Sequence, residues 1–240
     1  MIVRGVLFDF SGTLVECDSS RREQGYLATH ALVRRLGVEI AYPPFLDRSE
    51  DTFTSLDRRN AIDHREYSMA EGVSHLPESV LDRPATASRS TRSSPAAWTG
   101  GTGVHYLPGI EGFLAGLASD FRLGVLTNTH AVQLVPDHLT AMAEMAEMAG
   151  LDAVVTSVEL GWRKPHPSTY WAALAALGTT AADTPFVGST RDADYDGPRA
   201  VSMPAFLIDT GGVDDIDESH RLTDVFDLSA RLARTNGPGR

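Results

Sequence analysis

Four short segments of the sequence place polar side chains directly after an apolar run or at the start of a helix, where they could do chemistry together. A carboxylate such as Asp9 can act as a covalent nucleophile. A hydroxyl group such as that of Thr127 can hold an oxyanion together with main-chain N–H groups, and a lysine such as Lys164 can offset the negative charge of a nucleophile and of a transferred group. The segments are residues 9–13, 126–128, 163–167 and 187–190.

Buried strands would deliver these side chains to one edge of a sheet. The run from Val3 to Phe8 is apolar, contains β-branched residues and ends at Asp9, which is typical of a strand buried on both faces. Strands that alternate with helices predict an α/β fold with a doubly wound parallel sheet, in which ligands bind at the carboxyl ends of the strands. Further strands are predicted over 122–127, 153–156, 185–188 and 205–208, and helices over 108–118, 132–149 and 168–177.

Composition along the chain predicts two domains and a linker. Residues 1–15 and 104–240 carry the strand–helix alternation and are expected to form the core domain. Residues 16–82 show scattered apolar positions without strand alternation, which favours a smaller helical cap domain. The stretch 83–103 is rich in Pro, Ala, Ser, Thr, Arg and Gly and is interpreted as a flexible linker.

Overall composition excludes several classes of protein. Apolar residues make up 42% of the 240 residues and charged residues 22%, which are ordinary values for a globular chain. The formal charge of −11 disfavours nucleic acid and anionic membrane surfaces as partners. The single cysteine, Cys17, cannot form an intramolecular disulfide, and no apolar run is long enough to span a bilayer. These features, with an N-terminus that lacks a signal-peptide pattern, predict a cytoplasmic protein.

In their order and context the four segments resemble the motifs of the haloacid dehalogenase superfamily. The first motif of that superfamily is an apolar strand followed by Asp-x-Asp-Gly-Thr, and residues 7–14 here read Leu-Phe-Asp-Phe-Ser-Gly-Thr-Leu. The remaining motifs match at 124–128, at 164–167 and at 187–190, the last followed by Asp194, Gly197 and Arg199. The resemblance covers residues 1–15 and about 104–210. It implies a Rossmann-like core with a helical cap inserted between the first and second motifs.

The resemblance also implies a role for each matching residue. Asp9 corresponds to the nucleophile, Ser11 stands at the general acid and base position, and Lys164 corresponds to the charge-neutralising lysine. A Mg²⁺ ion would be held by Asp9, the carbonyl oxygen of Ser11 and Asp194. The remaining matching positions, expected to contact a small and anionic substrate, are Thr127, Asn128, Ser189 and Tyr170.

Two positions depart from the superfamily pattern. Ser11 replaces an aspartate that acts as general acid and base, and a hydroxyl group is far too weakly acidic to protonate a leaving alkoxide at neutral pH. Ser189 replaces an aspartate that binds magnesium, so the predicted cation site lacks one charged oxygen ligand.

Three functions are compatible with these residues. The favoured one is a small-molecule phosphatase with an atypical metal site, in which Asp9 forms an aspartyl-phosphate. The second is a metal-free 2-haloacid dehalogenase, in which Asp9 displaces halide from carbon. Such enzymes resemble this chain because they lack the second aspartate, carry serine at the Ser189 position and place a tyrosine six residues after the lysine, as Tyr170 follows Lys164. They normally have an aromatic residue where Ser11 stands and an asparagine where Arg191 stands, and both departures count against this function. The third is a non-catalytic binding protein that keeps the fold.

Other chemical patterns in the chain are weaker. Residues 192–197 imitate the start of an EF-hand calcium loop, but its twelfth position would be Met203 and not a glutamate. His130 and His166 are expected to be solvated or capping residues, and Trp162 and Trp171 are expected to be packing residues.

Overall fold

The computed structural model describes residues 2–18, 22–35, 38–67, 103–128, 136–209, 211 and 215–235. The chain divides into two compact units. The first contains residues 1–17, 105–128 and 141–240, and the second contains residues 18–104 and 129–140. The sequence predicted domain boundaries at 15 and 104, and it did not predict that residues 129–140 group with the second unit.

The first unit is built on a six-stranded sheet in which neighbouring strands are parallel. Its strands are Gly5–Phe8 (β1), Arg122–Thr127 (β4), Ala153–Thr156 (β5), Phe186–Gly188 (β6), Ala205–Ile208 (β7) and Arg221–Leu222 (β8). The strand order is β5-β4-β1-β6-β7-β8, so the first strand of the chain lies in the middle of the sheet. All four residues of β1, Gly5–Phe8, are buried, as expected for a strand that is covered on both faces. The registers pair Phe8 with Val125 of β4 and with Val187 of β6.

Helices and short turns connect these strands. A π-helical turn, Arg191–Asp196, follows β6 and leads into a one-turn helix. Two further strands, Val15–Asp18 (β2) and Gly103–Tyr106 (β3), pair in a separate two-stranded sheet. The helices that follow β3 are Ile110–Ala118 (α3), Pro136–Ala149 (α4), Ser157–Leu160 (α5), Pro167–Leu177 (α6), Gly197–Ala200 (α7) and Leu228–Thr235 (α8).

The core of the first unit lies between the sheet and α6. That helix buries a run of side chains spaced three and four residues apart against β4 and β5, as an amphipathic helix does on a sheet. Burial of these side chains removes apolar surface from water and fixes the helix against the strand ends that carry polar residues. The buried members of this cluster are Leu7, Leu126, Val155, Tyr170, Ala173, Leu174, Leu177, Phe186 and Met203.

The second unit contains two long helices, Arg22–Arg35 (α1) and Tyr42–Asp63 (α2). The first turn of α2 contains two prolines, which have no main-chain N–H group. The helix tolerates them there, because the N–H groups of a first turn have no partner within the helix. The helix ends at His64, which takes a left-handed conformation and donates its N–H to the carbonyl oxygen of Asn60 at 2.8 Å. The apolar core of this unit contains Tyr26, Phe45, Phe53, Leu56 and Tyr67.

The predicted fold class is confirmed, and several local predictions can be compared with the structure. The strands predicted over 122–127, 153–156 and 205–208 are found with those bounds. Residues 16–18 were predicted to start the helical segment but belong to β2, because Val15 begins a four-residue strand. The predicted linker 83–103 lies outside the described residues except for Gly103, which begins β3.

The described part of the chain has no helix whose length and apolarity would allow it to cross a membrane.

Candidate active site

Three neighbouring strands of the first unit place polar residues at the same edge of the sheet. Asp9 directly follows β1, Thr127 is the last residue of β4, and Ser189 directly follows β6. Because β1 lies between β4 and β6, Asp9 takes the central position at this edge. The Asp9 main-chain N–H donates to the carbonyl oxygen of Val187 at 2.8 Å, which extends the sheet by one bond and fixes the base of the aspartate.

The ammonium group of Lys164 lies between two buried carboxylates. Its Nζ atom donates to Asp9 Oδ1 at 2.8 Å and to Asp194 Oδ1 at 2.6 Å. All three residues are buried, and Lys164 is only 3% exposed. The Nζ atom also lies 4.9 Å from the centre of the Phe186 ring, which adds a cation–π contact. One positive charge thus serves two negative charges, and the cluster carries a net charge of −1 when all three groups are ionised.

The net effect of burial and the neighbouring charges is to raise the pKa values of both Asp9 and Lys164. Burial raises the pKa of Asp9 to about 6; Lys164 opposes the change, and the negative charge of Asp194 reinforces it. Burial lowers the pKa of Lys164, but the attraction of Asp194 and Asp9 outweighs that effect and leaves the pKa raised. At neutral pH Asp9 is therefore a carboxylate and Lys164 is an ammonium group.

The raised pKa of Asp9 predicts an acidic limb in the activity of this site. A carboxylate nucleophile must be ionised, so kcat/KM should fall as the pH drops through about 6 and should level off above about pH 7. Rate measurements between about pH 4.5 and pH 8 test this expectation, and a limb near the ordinary aspartate value of about 4 would contradict it.

Asp194 is held by the turn that follows β6. Its Oδ2 atom accepts from the main-chain N–H groups of Ser189 at 3.1 Å and Thr190 at 2.8 Å, while Oδ1 accepts from Lys164. Gly188 allows this close approach, because a Cβ atom at that position would collide with the Asp194 side chain. Both carboxylate oxygens are engaged, so Asp194 serves to anchor the lysine.

Tyr170 supports the same turn from α6. Its side chain is fully buried, and its hydroxyl group donates to the carbonyl oxygen of Ala193 at 2.6 Å. Burial and the nearby charge of Asp194 raise the pKa of this hydroxyl, so it stays protonated at neutral pH. The ring packs edge-on against Phe186 with the centroids 5.9 Å apart. In this structure the tyrosine hydroxyl, predicted to contact a substrate, holds the residue next to Asp194.

Asn128 and the two serines complete the set of predicted site residues. The side-chain amide of Asn128 makes two hydrogen bonds to the main chain of Lys164. The hydroxyl of Ser189 lies against the turn at Gly12, since a Cβ atom on that glycine would be 3.0 Å from Ser189 Oγ. Gly12 has a φ of 74°, a left-handed conformation that favours glycine. The side chains of Ser11 and Ser189 are partly exposed, so they can face a ligand at the strand edge.

The donor set at this edge does not fit a magnesium ion. Mg²⁺ requires near-octahedral oxygen ligands, of which carboxylates contribute the charge. Ser189 supplies only a neutral hydroxyl, and both oxygens of Asp194 are already bonded to Lys164 and to main-chain N–H groups. Asp192 and Asp196 are exposed. The described residues contain no group of three or more histidine, cysteine, aspartate or glutamate side chains that could hold a metal ion.

The remaining candidates do not join the site. His166 caps α6, where its Nδ1 atom accepts from the N–H of Ser168 at 3.3 Å, and its ring stacks on Trp162 with the centroids 4.2 Å apart. His130 lies outside the described residues. Trp171 was predicted to pack but is 59% exposed, so that prediction was wrong. It sits on the side of α6 that faces away from the buried run.

One sequence signal for the site was missed. The chain contains 21 lysine and arginine residues, and Lys164 is the only lysine among them. A lysine ammonium is a compact charge on a flexible stem, whereas a guanidinium is planar and wider. The gap between the two buried carboxylates fits the compact ammonium group. This is a physical reason for a lysine at this position in a chain whose other basic residues are all arginine.

Sequence comparison finds relatives among proteins of one superfamily. No protein-family model matches the chain. Haloacid dehalogenase-like hydrolase domain-containing protein 3 of Bos taurus is 28% identical over 156 residues, which are 60% of this chain and 56% of that protein. The Homo sapiens protein of the same name is 40% identical over 57 residues, 24% of this chain and 23% of that protein. The chain therefore matches little more than half of the bovine relative and about a quarter of the human one.

Solved structures with the same fold cover nearly the whole chain. A 2-haloacid dehalogenase from Pseudomonas syringae pv. Tomato DC3000 superposes with a TM-score of 0.69 at 19% identity, covering 98% of this chain and 100% of that one. A HAD phosphatase from Thermococcus onnurineus superposes with a TM-score of 0.58 at 19% identity, covering 99% and 100%. At these identities the likeness concerns the fold. The chain thus has the fold of the haloacid dehalogenase superfamily of hydrolases, and the resemblance seen in its four ordered motifs is confirmed.

Proposed function

We propose that the chain is a metal-independent hydrolase that releases halide from a small 2-halo carboxylic acid through an ester of Asp9. The observation that carries this proposal is the position of the Lys164 ammonium between Asp9 and Asp194, at 2.8 and 2.6 Å. The ammonium group compensates the negative charge of the nucleophilic carboxylate. The chain thus supplies this positive charge from its own side chain.

In the first step the Asp9 carboxylate attacks the carbon atom that bears the halogen. A new bond forms between an Asp9 oxygen and that carbon as the carbon–halogen bond breaks, and the halide leaves with the bonding electrons. A halide ion is a very weak base, so its departure requires no proton. This step is compatible with Ser11, whose hydroxyl cannot serve as a general acid at neutral pH.

In the second step water hydrolyses the ester. Water attacks the carboxyl carbon of Asp9, the bond between that carbon and the ester oxygen breaks, and the product leaves as a 2-hydroxy acid. Negative charge that develops on Asp9 Oδ1 during this attack is stabilised by the Lys164 ammonium, which already donates to that atom. One water is consumed, and one halide and one proton are released in each turnover.

A phosphatase reaction, favoured by the sequence, demands more from the same residues. A leaving alkoxide needs a proton that Ser11 does not supply. A phosphomonoester also brings about two negative charges to a buried cluster that already carries a net charge of −1, and the residues present do not fit a divalent cation to offset them. Both reactions occur on this fold, as the two solved relatives illustrate, so the choice depends on the charges of the site.

Substrate contacts are proposed from the residues that surround Asp9. Thr127 and Ser189 lie at the ends of the two strands that flank β1, on either side of the nucleophile. Their hydroxyl groups are suited to hold the substrate carboxylate. Each donates a hydrogen bond without adding negative charge to the cluster.

A paired assay tests the proposed function. Halide release from 2-chloropropionate and phosphate release from p-nitrophenyl phosphate are measured with the purified chain, each in the presence of Mg²⁺ and of a chelator. Halide release that is unaffected by the chelator is expected. Phosphate release that requires Mg²⁺, without halide release, would contradict the proposal.

Two variants at one position serve as a matched pair for this assay. Ser189→Asp adds a carboxylate near Asp9, which should repel the nucleophile and the anionic substrate and lower halide release by about tenfold or more. Ser189→Asn adds a side chain of nearly the same size without charge and should lower it much less. A gain of Mg²⁺-dependent phosphatase activity in Ser189→Asp without loss of dehalogenase activity would instead favour the phosphatase.

A further inference from the structure

The side chain of Asn128 forms a reciprocal pair of hydrogen bonds with the main chain of Lys164. Its Oδ1 atom accepts from the Lys164 N–H at 2.7 Å, and its Nδ2 atom donates to the Lys164 carbonyl oxygen at 3.0 Å. The main chain fixes the orientation of the amide, because an N–H group can only donate and a carbonyl oxygen can only accept. The two residues are 36 positions apart, so these bonds tie the segment before α6 to the end of β4.

The position of the ammonium group depends on where the lysine main chain is held. Lysine has a four-carbon stem with several rotatable bonds, and the stem of Lys164 is buried. From its fixed main chain it reaches two carboxylates at 2.8 and 2.6 Å. A shift of the ammonium group by about one ångström along either bond, away from its carboxylate, would lengthen that bond beyond hydrogen-bond distance.

We propose that Asn128 is a positioning residue that holds Lys164 between Asp9 and Asp194. The superfamily resemblance implied a substrate contact at this position. In the structure the carbonyl oxygen of the Asn128 side chain and one of its amide hydrogens are both used by the main chain of Lys164. The catalytic consequence of this role rests on the proposed function, whereas the effect on Lys164 itself does not.

Steady-state kinetics separate a positioning role from substrate contact. Asn128→Ala removes both hydrogen bonds and should lower kcat for halide release by about 10-fold to 100-fold with KM changed by less than about twofold. Asn128→Asp retains an acceptor for the Lys164 N–H but places an oxygen against the Lys164 carbonyl, so kcat should fall as well. A rise in KM with kcat unchanged would overturn the proposal, because that split is the mark of lost substrate binding.

A control variant removes a comparable bond from the same segment. The hydroxyl of Thr169 is buried and donates to the carbonyl oxygen of His166 at 2.8 Å. Thr169→Val deletes this side-chain bond to the main chain at nearly constant volume, without touching Lys164. It should retain the kcat of the unaltered protein. A fall equal to that of Asn128→Ala would overturn the specific role of Asn128.

Chemical modification of the single lysine gives a readout that needs no substrate. Lys164 and the terminal amine are the only primary amines of the chain, so reductive methylation followed by mass spectrometry of peptides reports on Lys164 alone. Methylation of Lys164 should be slow in the unaltered protein and in Thr169→Val, and faster by about tenfold or more in the two Asn128 variants. Equal protection in all four folded proteins would overturn the proposal. If the unaltered chain released no halide, the proposed function would fail, and this rate would still decide the role of Asn128.

Discussion

Replacement of Asp9 by asparagine is expected to reduce turnover by about a thousandfold or more, because the amide cannot form the covalent ester. The fold should tolerate the change, since the amide has nearly the shape of the carboxylate. Burial disfavours the charged form of Asp9, as its raised pKa indicates. A neutral amide at this position therefore avoids the cost of burying a charge, but it also loses the attraction to Lys164, and the two effects on stability oppose each other. The midpoint of thermal unfolding should therefore remain close to that of the unaltered protein.

Activity and thermal unfolding of Asp9→Asn are measured beside a matched control. Asp120 is exposed just after α3 and precedes β4, so it lies at the opposite end of that strand from Thr127, and Asp120→Asn makes the same chemical change there. The control should retain full halide release. Undiminished turnover in folded Asp9→Asn would exclude the aspartate as the nucleophile and with it the reaction proposed for this chain.

Replacement of Lys164 by methionine is expected to affect both stability and turnover. The variant leaves Asp9 and Asp194 buried side by side without a cation, and removal of one partner from a buried ion cluster costs about 3–5 kcal/mol. The loss should depend on pH in a defined direction. Without Lys164 the pKa of Asp9 rises further above its value in the unfolded chain, so the folded variant binds a proton more tightly there and loses stability as the pH rises.

Denaturant unfolding of Lys164→Met at about pH 5 and pH 7 tests this prediction, and the deficit should be larger at the higher pH. The double variant Lys164→Met with Asp194→Asn removes one of the two unpaired charges and should recover part of the stability without recovering turnover. An unfolding free energy equal to that of the unaltered protein at both pH values would show that the ion cluster is not a structural element of this site.

Five of the six strands of the sheet, β1, β4, β5, β6 and β7, were predictable because each is a short, mainly apolar run. Local sequence determines the bounds of three of these strands, Arg122–Thr127, Ala153–Thr156 and Ala205–Ile208. It also determines the helix Pro167–Leu177, which ends at a capping glycine. The elements that were not predicted are short or polar. The strand Arg221–Leu222 has two residues, and the helix Leu228–Thr235 buries Leu228 and Leu232 within an otherwise polar sequence.

Site residues were predictable to a different extent. The order of the motifs placed Asp9 and Lys164 at the site, and the structure brings their charged atoms to 2.8 Å. The partners of Asn128 and Tyr170 could not be predicted, because each bonds to a main-chain group more than 20 residues away. Sequence pattern indicates that a polar side chain lies near a strand end, but only the three-dimensional structure shows whether its hydrogen-bonding groups are used within the protein.

The two serines that replace aspartates and the bridging lysine form one consistent electrostatic arrangement. Ser11 and Ser189 keep negative charge away from Asp9, and the single cation of Lys164 is shared by Asp9 and Asp194. An added carboxylate or a lost ammonium would disturb the same balance. The site is therefore suited to a singly charged substrate and to a leaving group that departs without a proton.

Single-turnover hydrolysis in ¹⁸O-labelled water, with enzyme in excess and a chelator present, is the most direct test of the nucleophilic role of Asp9. If Asp9 forms the ester, the hydroxyl oxygen of the 2-hydroxy acid comes from the aspartate and is unlabelled. One ¹⁸O atom then appears in the peptide that contains Asp9, because water attacks the carboxyl carbon of that residue. Mass spectrometry of the product and of the digested protein measures both. Labelled product with an unlabelled Asp9 peptide would show that water attacks the substrate directly and would contradict the mechanism.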